Sequence, residues 1–210
     1  MLKLPHILIY ILFPLYLMGC SSVPEEPDTV EWKAHKSELK QLTGYTATGK
    51  LGYIAPDQRH SLNFYWTHSN NFSQIRLSTF LGQTVFNLTS TPNGAVVETY
   101  DGEKLAGDSA NLLIAELTGL DIPIEQLESW LIGMPTRSDR YSLNRFNTVE
   151  NLTTKVGRQT WSLFYKEYLN TELSSIEQTE KVTSIPLPSR MQLTHGDTKI
   201  NLVVSKWIVK

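Results

Sequence analysis

From residue 45 to residue 100 the chain is written in short runs of alternating apolar and polar residues, punctuated by tight-turn signals, and no other feature restricts its fold so much. In Leu62-Asn63-Phe64-Tyr65-Trp66-Thr67 the residues Leu62, Phe64 and Trp66 share one face, because side chains of an extended strand point alternately to opposite sides. Residues 74–78 repeat the pattern with Ile75 and Leu77, residues 84–89 with Phe86 and Leu88, and residues 95–100 form a further strand. Asn70-Asn71, Pro92-Asn93-Gly94 and Asp101-Gly102 are the turns between them. Strands joined this directly leave no room for crossover helices, so the spacing predicts an antiparallel meander and not a parallel βαβ sheet. The pattern resumes at residues 141–143, 146–156, 161–168, 190–194 and 199–209, with Gly157-Arg158 as another turn. The polar, aperiodic stretch 170–184 reads as a loop.

Three helices accompany the sheet. Residues 30–42 carry Trp32, Leu39 and Leu42 on one side and Glu31, Lys36, Glu38 and Lys40 largely on the other, with Gly44 expected to end the helix. Asp108 or Ser109 can cap a second helix running through Leu112, Leu113 and Leu117 to Gly119. Pro123 opens the third, residues 124–132, in which Ile124, Leu127 and Leu131 lie three and four apart with Trp130 beside them; Gly133 and Pro135 close it.

The N-terminal segment has its own logic. Lys3 precedes an apolar run from Ile7 to Leu17, interrupted by Pro14, that is too short to span about 30 Å of hydrocarbon as a helix. It has the layout of a secretory signal. The run ends in Leu17-Met18-Gly19-Cys20, which resembles a bacterial lipobox, whose cysteine becomes the lipidated first residue of the mature chain. The expected division is therefore a signal peptide at 1–19, a lipidated N-terminus and proline-rich tether at 20–29, and one domain at 30–210. Ser21 follows the cysteine where many such bacteria use aspartate for inner-membrane retention, so the expected anchorage is the inner leaflet of an outer membrane, facing the periplasm. Cys20 is the only cysteine, so with lipid on it no disulfide can form. A net charge of −2 gives no electrostatic footprint for nucleic acid.

No catalytic arrangement emerges. The five histidines are dispersed and form no HExxH pair, and there is no GxSxG elbow, P-loop or GxGxxG. No metal site and no cofactor beyond the covalent lipid on Cys20 are expected. What remains is a surplus of large apolar residues. Leu62, Phe64, Trp66, Ile75, Leu77, Phe86, Leu88, Trp161, Leu163, Tyr165 and Trp207 are candidates for one concave face, with Leu127, Trp130 and Leu131 on the helix above it. Either the helices fill that concavity, or they cover an apolar cavity fit for an acyl chain. Periodicity does not separate the two.

An ordered set of motifs adds to this. It comprises Trp32-x-x-His35, Tyr45-x-x-x-Gly49-Lys50-Leu51-Gly52, Phe64-x-Trp66, Leu81-Gly82 and Leu117-Thr118-Gly119-x-x-Ile122-Pro123-Ile124. Leu127-x-x-Trp130-Leu131-Ile132-Gly133-Met134-Pro135, Trp161-x-Leu163-x-Tyr165-x-x-Tyr168, Leu187-Pro188-x-x-Met191-x-Leu193 and Ile200-x-Leu202 follow. Together they resemble the outer-membrane lipoprotein receptor family LolB over nearly the whole mature chain, with Phe80 standing where the family commonly has proline. The resemblance implies a mainly β fold with helices (α+β), an incomplete antiparallel β-barrel covered by a helical lid over an apolar cavity. It implies a monomeric, non-enzymatic receptor that accepts lipoproteins from the periplasmic carrier LolA and delivers their acyl chains into the outer membrane. It also assigns Phe80, Leu81 and Gly82 to a membrane-insertion loop, with Leu81 at its tip. Read from the residues alone, the alternative is that Phe80 and Leu81 fold back to cap the barrel edge. The alternative to a receptor is an outer-membrane scaffold lipoprotein with a filled core and a partner-binding surface.

Overall fold

A computed structural model describes residues 26–119, 122–173 and 184–210; the expected signal segment, Cys20, the first half of the expected tether and most of the stretch 170–184 lie outside the described residues. Helix α1 (Trp32–Gln41) leads into two hairpin meanders. The first comprises β1 (Gly44–Ala55), β2 (Gln58–Ser69), β3 (Phe72–Ser78), β4 (Thr84–Thr91), β5 (Gly94–Thr99) and β6 (Lys104–Gly107). Helices α2 (Ala110–Thr118) and α3 (Ile124–Trp130) follow. The second meander comprises β7 (Arg140–Leu143), β8 (Val149–Val156), β9 (Gln159–Glu172), β10 (Ser184–His195) and β11 (Thr198–Val209).

All eleven strands form one sheet in the order β6-β5-β4-β3-β2-β1-β11-β10-β9-β8-β7. The last strand returns to pair antiparallel with the first, Tyr45 opposite Val209 and Ile54 opposite Lys199, which joins the meanders side by side. A register shift at Thr48/Gly49 bends this central pair, as an extra residue in one strand does. The sheet curls but does not close, because β6 and β7 are its two edges. The incomplete antiparallel barrel with helices is thus the observed fold.

The helix positions agree with the sequence pattern to within two residues. Glu31 caps α1, its carboxylate accepting hydrogen bonds from the Lys33 and Ala34 amides at 3.1 and 2.7 Å, which lowers its pKa. Ser109, not Asp108, caps α2. Four expectations need correction. Gly44 does not end α1; it begins β1, where a Cβ would lie 2.7 Å from the His68 carbonyl oxygen, so the position demands close backbone approach. Residues 144–148 are a turn and not the start of β8: the Asn144 side chain accepts from the Phe146 and Thr148 amides, and Asn147 takes φ 59°. Strand β6 is an addition, its four residues too short to show a period. The ends of the stretch 170–184 are strand, since β9 runs to Glu172 and β10 starts at Ser184. Pro186 and Pro188 conceal that half of β10. They are tolerated because the segment pairs with β9 alone, β11 joining only from Arg190 onward, so their missing N–H groups break no ladder on that side.

Candidate functional site

One flank of the concave face is filled and the other is hollow. Helix α3 fills its flank. It has seven residues, too few to be stable alone, and the sheet holds it through its main chain. The Tyr45 hydroxyl donates to the Glu128 carbonyl at 2.8 Å, and the Tyr165 hydroxyl donates to the Trp130 carbonyl at 2.8 Å. These are carbonyls of the helix C-terminus, where the intrahelical ladder runs out; the Trp130 carbonyl also accepts from the Gly133 amide at 2.9 Å. The Trp130 indole N–H donates to Asp139 at 2.9 Å, and Trp130 and Leu131 are completely buried.

The hollow flank is a cavity of about 630 Å³, within the size range of small-molecule sites. Its walls come from β1–β4, from Ile200 and Leu202 of β11, and from Ile114, Leu117, Ile122, Ile124 and Leu127 of the two helices and their connection. Among the residues singled out from sequence, Leu62, Phe64, Trp66, Ile75, Leu77, Phe86 and Leu127 line it. Leu88, Trp130, Leu131, Trp161, Leu163, Tyr165 and Trp207 do not; the first six are buried in the filled core, and Trp207 is half-buried with its indole N–H donating to the Pro188 carbonyl. Trp130 and Leu131 belong to the anchored C-terminal turn of α3, which Tyr165 holds through the Trp130 carbonyl, and Leu88 lies on β4, against which α2 packs. Sequence reading missed Leu51, Tyr53, Val85, Ile114, Leu117, Ile122, Ile124, Ile200 and Leu202 as lining residues. The alternation through β1 and β11 carries part of that signal, because Leu51 lies opposite Leu202 and Tyr53 opposite Ile200.

The polar lining residues gather at the mouth. Gln58, His60, Asp101 and Glu103 are exposed, and Thr79 and Thr99 are half-buried. Successive hairpins alternate ends, so the β1–β2, β3–β4 and β5–β6 connections all lie at this end. The β3–β4 connection is Thr79-Phe80-Leu81-Gly82-Gln83. The Gly82 amide donates to the Thr79 carbonyl at 3.0 Å, the Thr79 amide to the Gln83 carbonyl at 2.8 Å, and Gly82 sits at φ 86°, which an L side chain resists. This tight frame pushes the turn residues outward: Phe80 is 84% and Leu81 81% exposed. They do not fold back onto the barrel edge. Tyr100, 73% exposed in the β5–β6 connection, stands on the same rim.

Beyond the cavity wall lies a small polar cluster. Trp66, a lining residue, donates its indole N–H to Ser73 at 2.9 Å. His68 stacks on Tyr45 with ring centroids 5.1 Å apart, and its Nδ1 lies 3.8 Å from a Glu128 carboxylate oxygen. Burial pushes the His68 pKa down and the Glu128 pKa up, so both are biased toward their neutral forms beside an apolar chamber. Among the described residues no group of His, Cys, Asp or Glu side chains could hold a metal ion, and no helix is long and apolar enough to cross a membrane.

A curled open sheet with helices in its concavity defines a class of fold, the open half-barrel. The fold is similar to a putative outer membrane lipoprotein-sorting protein domain from Vibrio parahaemolyticus, with TM-score 0.55 and 8% identity over 85% of this chain and 90% of that one. It is also similar to a LolA superfamily protein from Nitrosomonas europaea, with TM-score 0.52 and 8% identity over 86% and 94% of the two chains. Within that class the chain belongs to the LolB family: the family described as outer membrane lipoprotein LolB matches residues 43–207. Relatives called outer-membrane lipoprotein LolB include one from Vibrio atlanticus, 48% identical over the full length of both chains. Another from Vibrio cholerae is 46% identical over 92% of this chain and 91% of its own. The family is one of outer-membrane lipoproteins that act in lipoprotein localisation; it is not a family of enzymes and uses no cofactor.

Proposed function

We propose that this chain receives lipoproteins from the periplasmic carrier LolA and inserts them into the inner leaflet of the outer membrane. The observation that carries the reading is the apolar cavity opening at the same end of the barrel as the exposed Phe80-Leu81 tip. In this reading residues 1–19 are a cleaved signal, Cys20 carries the lipid anchor, residues 20–29 tether it, and residues 30–210 form one monomeric domain facing the periplasm. Acyl chains of the cargo enter among Leu62, Phe64, Ile75, Leu77 and Phe86. Passage from one apolar chamber to another, and then into lipid, exposes little hydrocarbon to water, which would cost about 25 cal/mol per Å². No covalent chemistry is required. Among the described residues the lining offers no fixed polar partner deep inside, which suits interchangeable acyl chains better than one specific ligand.

Phe80, Leu81 and Gly82 form the insertion loop. Large apolar side chains at a turn tip enter the acyl region readily and bring the mouth to the bilayer. A scaffold lipoprotein with a filled core is disfavoured by the open volume of the hollow flank. The test is Leu81→Glu. Acceptance of labelled lipoprotein from the carrier and the urea midpoint are expected to stay at parental values, while delivery into liposomes falls, because a carboxylate resists burial in hydrocarbon. Delivery at the parental rate, or an unfolded variant, would overturn the role given to Leu81. Failure of the parental domain to bind any acyl probe would overturn the receptor reading itself.

A further inference from the structure

The described part of the tether lies along the domain at the end opposite the mouth. The Asp28 amide donates to the Asn170 side chain at 3.1 Å, near the end of β9. The Val30 amide donates to the Phe146 carbonyl at 3.1 Å, and the Asn147 side-chain amide donates to the Val30 carbonyl at 2.9 Å. Arg145 pairs with Glu26. Residues 144–148 join β7 to β8, and hairpin alternation puts that turn at the opposite end from Gly157-Arg158 and the cavity mouth.

Building on the functional reading above, we infer that segment 26–30 is a releasable strap that sets which way the cavity faces: docked, it points the mouth away from the membrane to receive cargo, and released, it lets the mouth turn down to deliver. The argument is one of reach. From Asn170 to Gln159 is eleven residues of β9, about 36 Å of strand, or about 28 Å along the barrel axis at a tilt near 40°. Cys20 lies six residues before Glu26, at most about 21 Å of extended chain. A lipid on Cys20 and the Leu81 tip therefore cannot both engage one leaflet while the strap is docked with the barrel upright. Freed as far as Trp32, the chain after Cys20 reaches about 42 Å, which is enough. The bonds that hold the strap suit repeated release. The ion pair is exposed on both sides, and the amide contacts lie at the surface, where water replaces them at small net cost.

The experiment uses the full lipidated chain in proteoliposomes, with labelled lipoprotein supplied by the carrier. A disulfide between Asp28→Cys and Asn170→Cys closes the strap. Oxidised, this variant is expected to accept cargo at the parental rate and deliver it into its own bilayer about tenfold more slowly, because docking forbids simultaneous engagement of anchor and tip. Reductant is expected to restore delivery. Insertion of ten Gly/Ser residues between Ser22 and Val23 is expected to restore it without reductant, a rescue that mere damage to the domain would not show. Parental delivery by the oxidised variant, or no rescue by the longer tether, overturns the strap while leaving the receptor reading intact. Loss of delivery in the unstapled parent overturns both.

Discussion

Phe64, Ile75, Leu77 and Phe86 on β2–β4 obey the same alternation, and are buried about as well, as Leu163 and Tyr165 on β9 and Leu193 on β10. The first group nevertheless faces an open chamber and the second lies in a filled core. The difference is polar. On the filled flank two tyrosine hydroxyls and an indole N–H fix one short segment in one place. On the hollow flank the walls offer shape and hydrocarbon without a comparable anchor, so no described residue is committed to fill them. Directional bonds make a permanent occupant, and their absence leaves room for a transient one.

If that contrast is right, Trp130→Ala should be the most damaging substitution, because it empties the filled flank and leaves the Asp139 carboxylate with the Thr136 amide alone. A loss of about 3–5 kcal/mol is expected in urea unfolding. Tyr165→Phe keeps the ring and removes only one of the two bonds to the Trp130 carbonyl, which retains the Gly133 amide; the lost hydrogen bond should cost about 0.5–1.5 kcal/mol. If Tyr165→Phe leaves stability unchanged, hydroxyl anchoring is not what distinguishes the flanks.

Acid should sharpen the comparison next. Burial lowers the His35 pKa to about 4, and that of His68 also falls, so both are neutral in the native domain. The unfolded chain binds these protons from about pH 6.5 downward. Stability from this source is full above about pH 6.5 and declines as the pH drops toward 4. Glu128, whose pKa burial raises, acts in the opposite sense. His35→Gln should flatten part of the slope in unfolding free energy between pH 6.5 and 4, and an unchanged slope would contradict its neutral burial. The smallest stability effect belongs to the hollow flank. Leu62→Trp adds volume where space exists, so the unfolding free energy should move by less than about 1 kcal/mol. Acyl-probe binding should nevertheless fall, as a fluorescence titration would read.

The meander is legible because a period of two, cut by Asn70-Asn71 and Pro92-Asn93-Gly94, has one physical solution. Half of β10 is not, since Pro186 and Pro188 argue against a strand unless one knows that its far side is unpaired. The cavity is half legible. Alternation identifies which side chains face inward, and Leu62, Phe64 and Ile75 follow from it. It cannot tell whether another element reaches them, so Trp130 and Tyr165 read as lining although they belong to the plug. Their hydroxyl and indole partners are main-chain carbonyls and a distant carboxylate, and no local pattern announces those. The exposed tip is legible, because two large apolar residues before a glycine are out of place in a hairpin turn.

The two edges of the sheet bear on how many copies can share a membrane. An unclosed sheet offers unpaired amides and carbonyls at β6 and β7, and confinement to a surface raises the frequency of sideways collisions. Each of those strands has only four residues, and each begins with an exposed cation, Lys104 or Arg140. Short, charged edges make poor templates for strand addition. The molecule can therefore stay open enough to admit a guest without polymerising through the same opening when crowded.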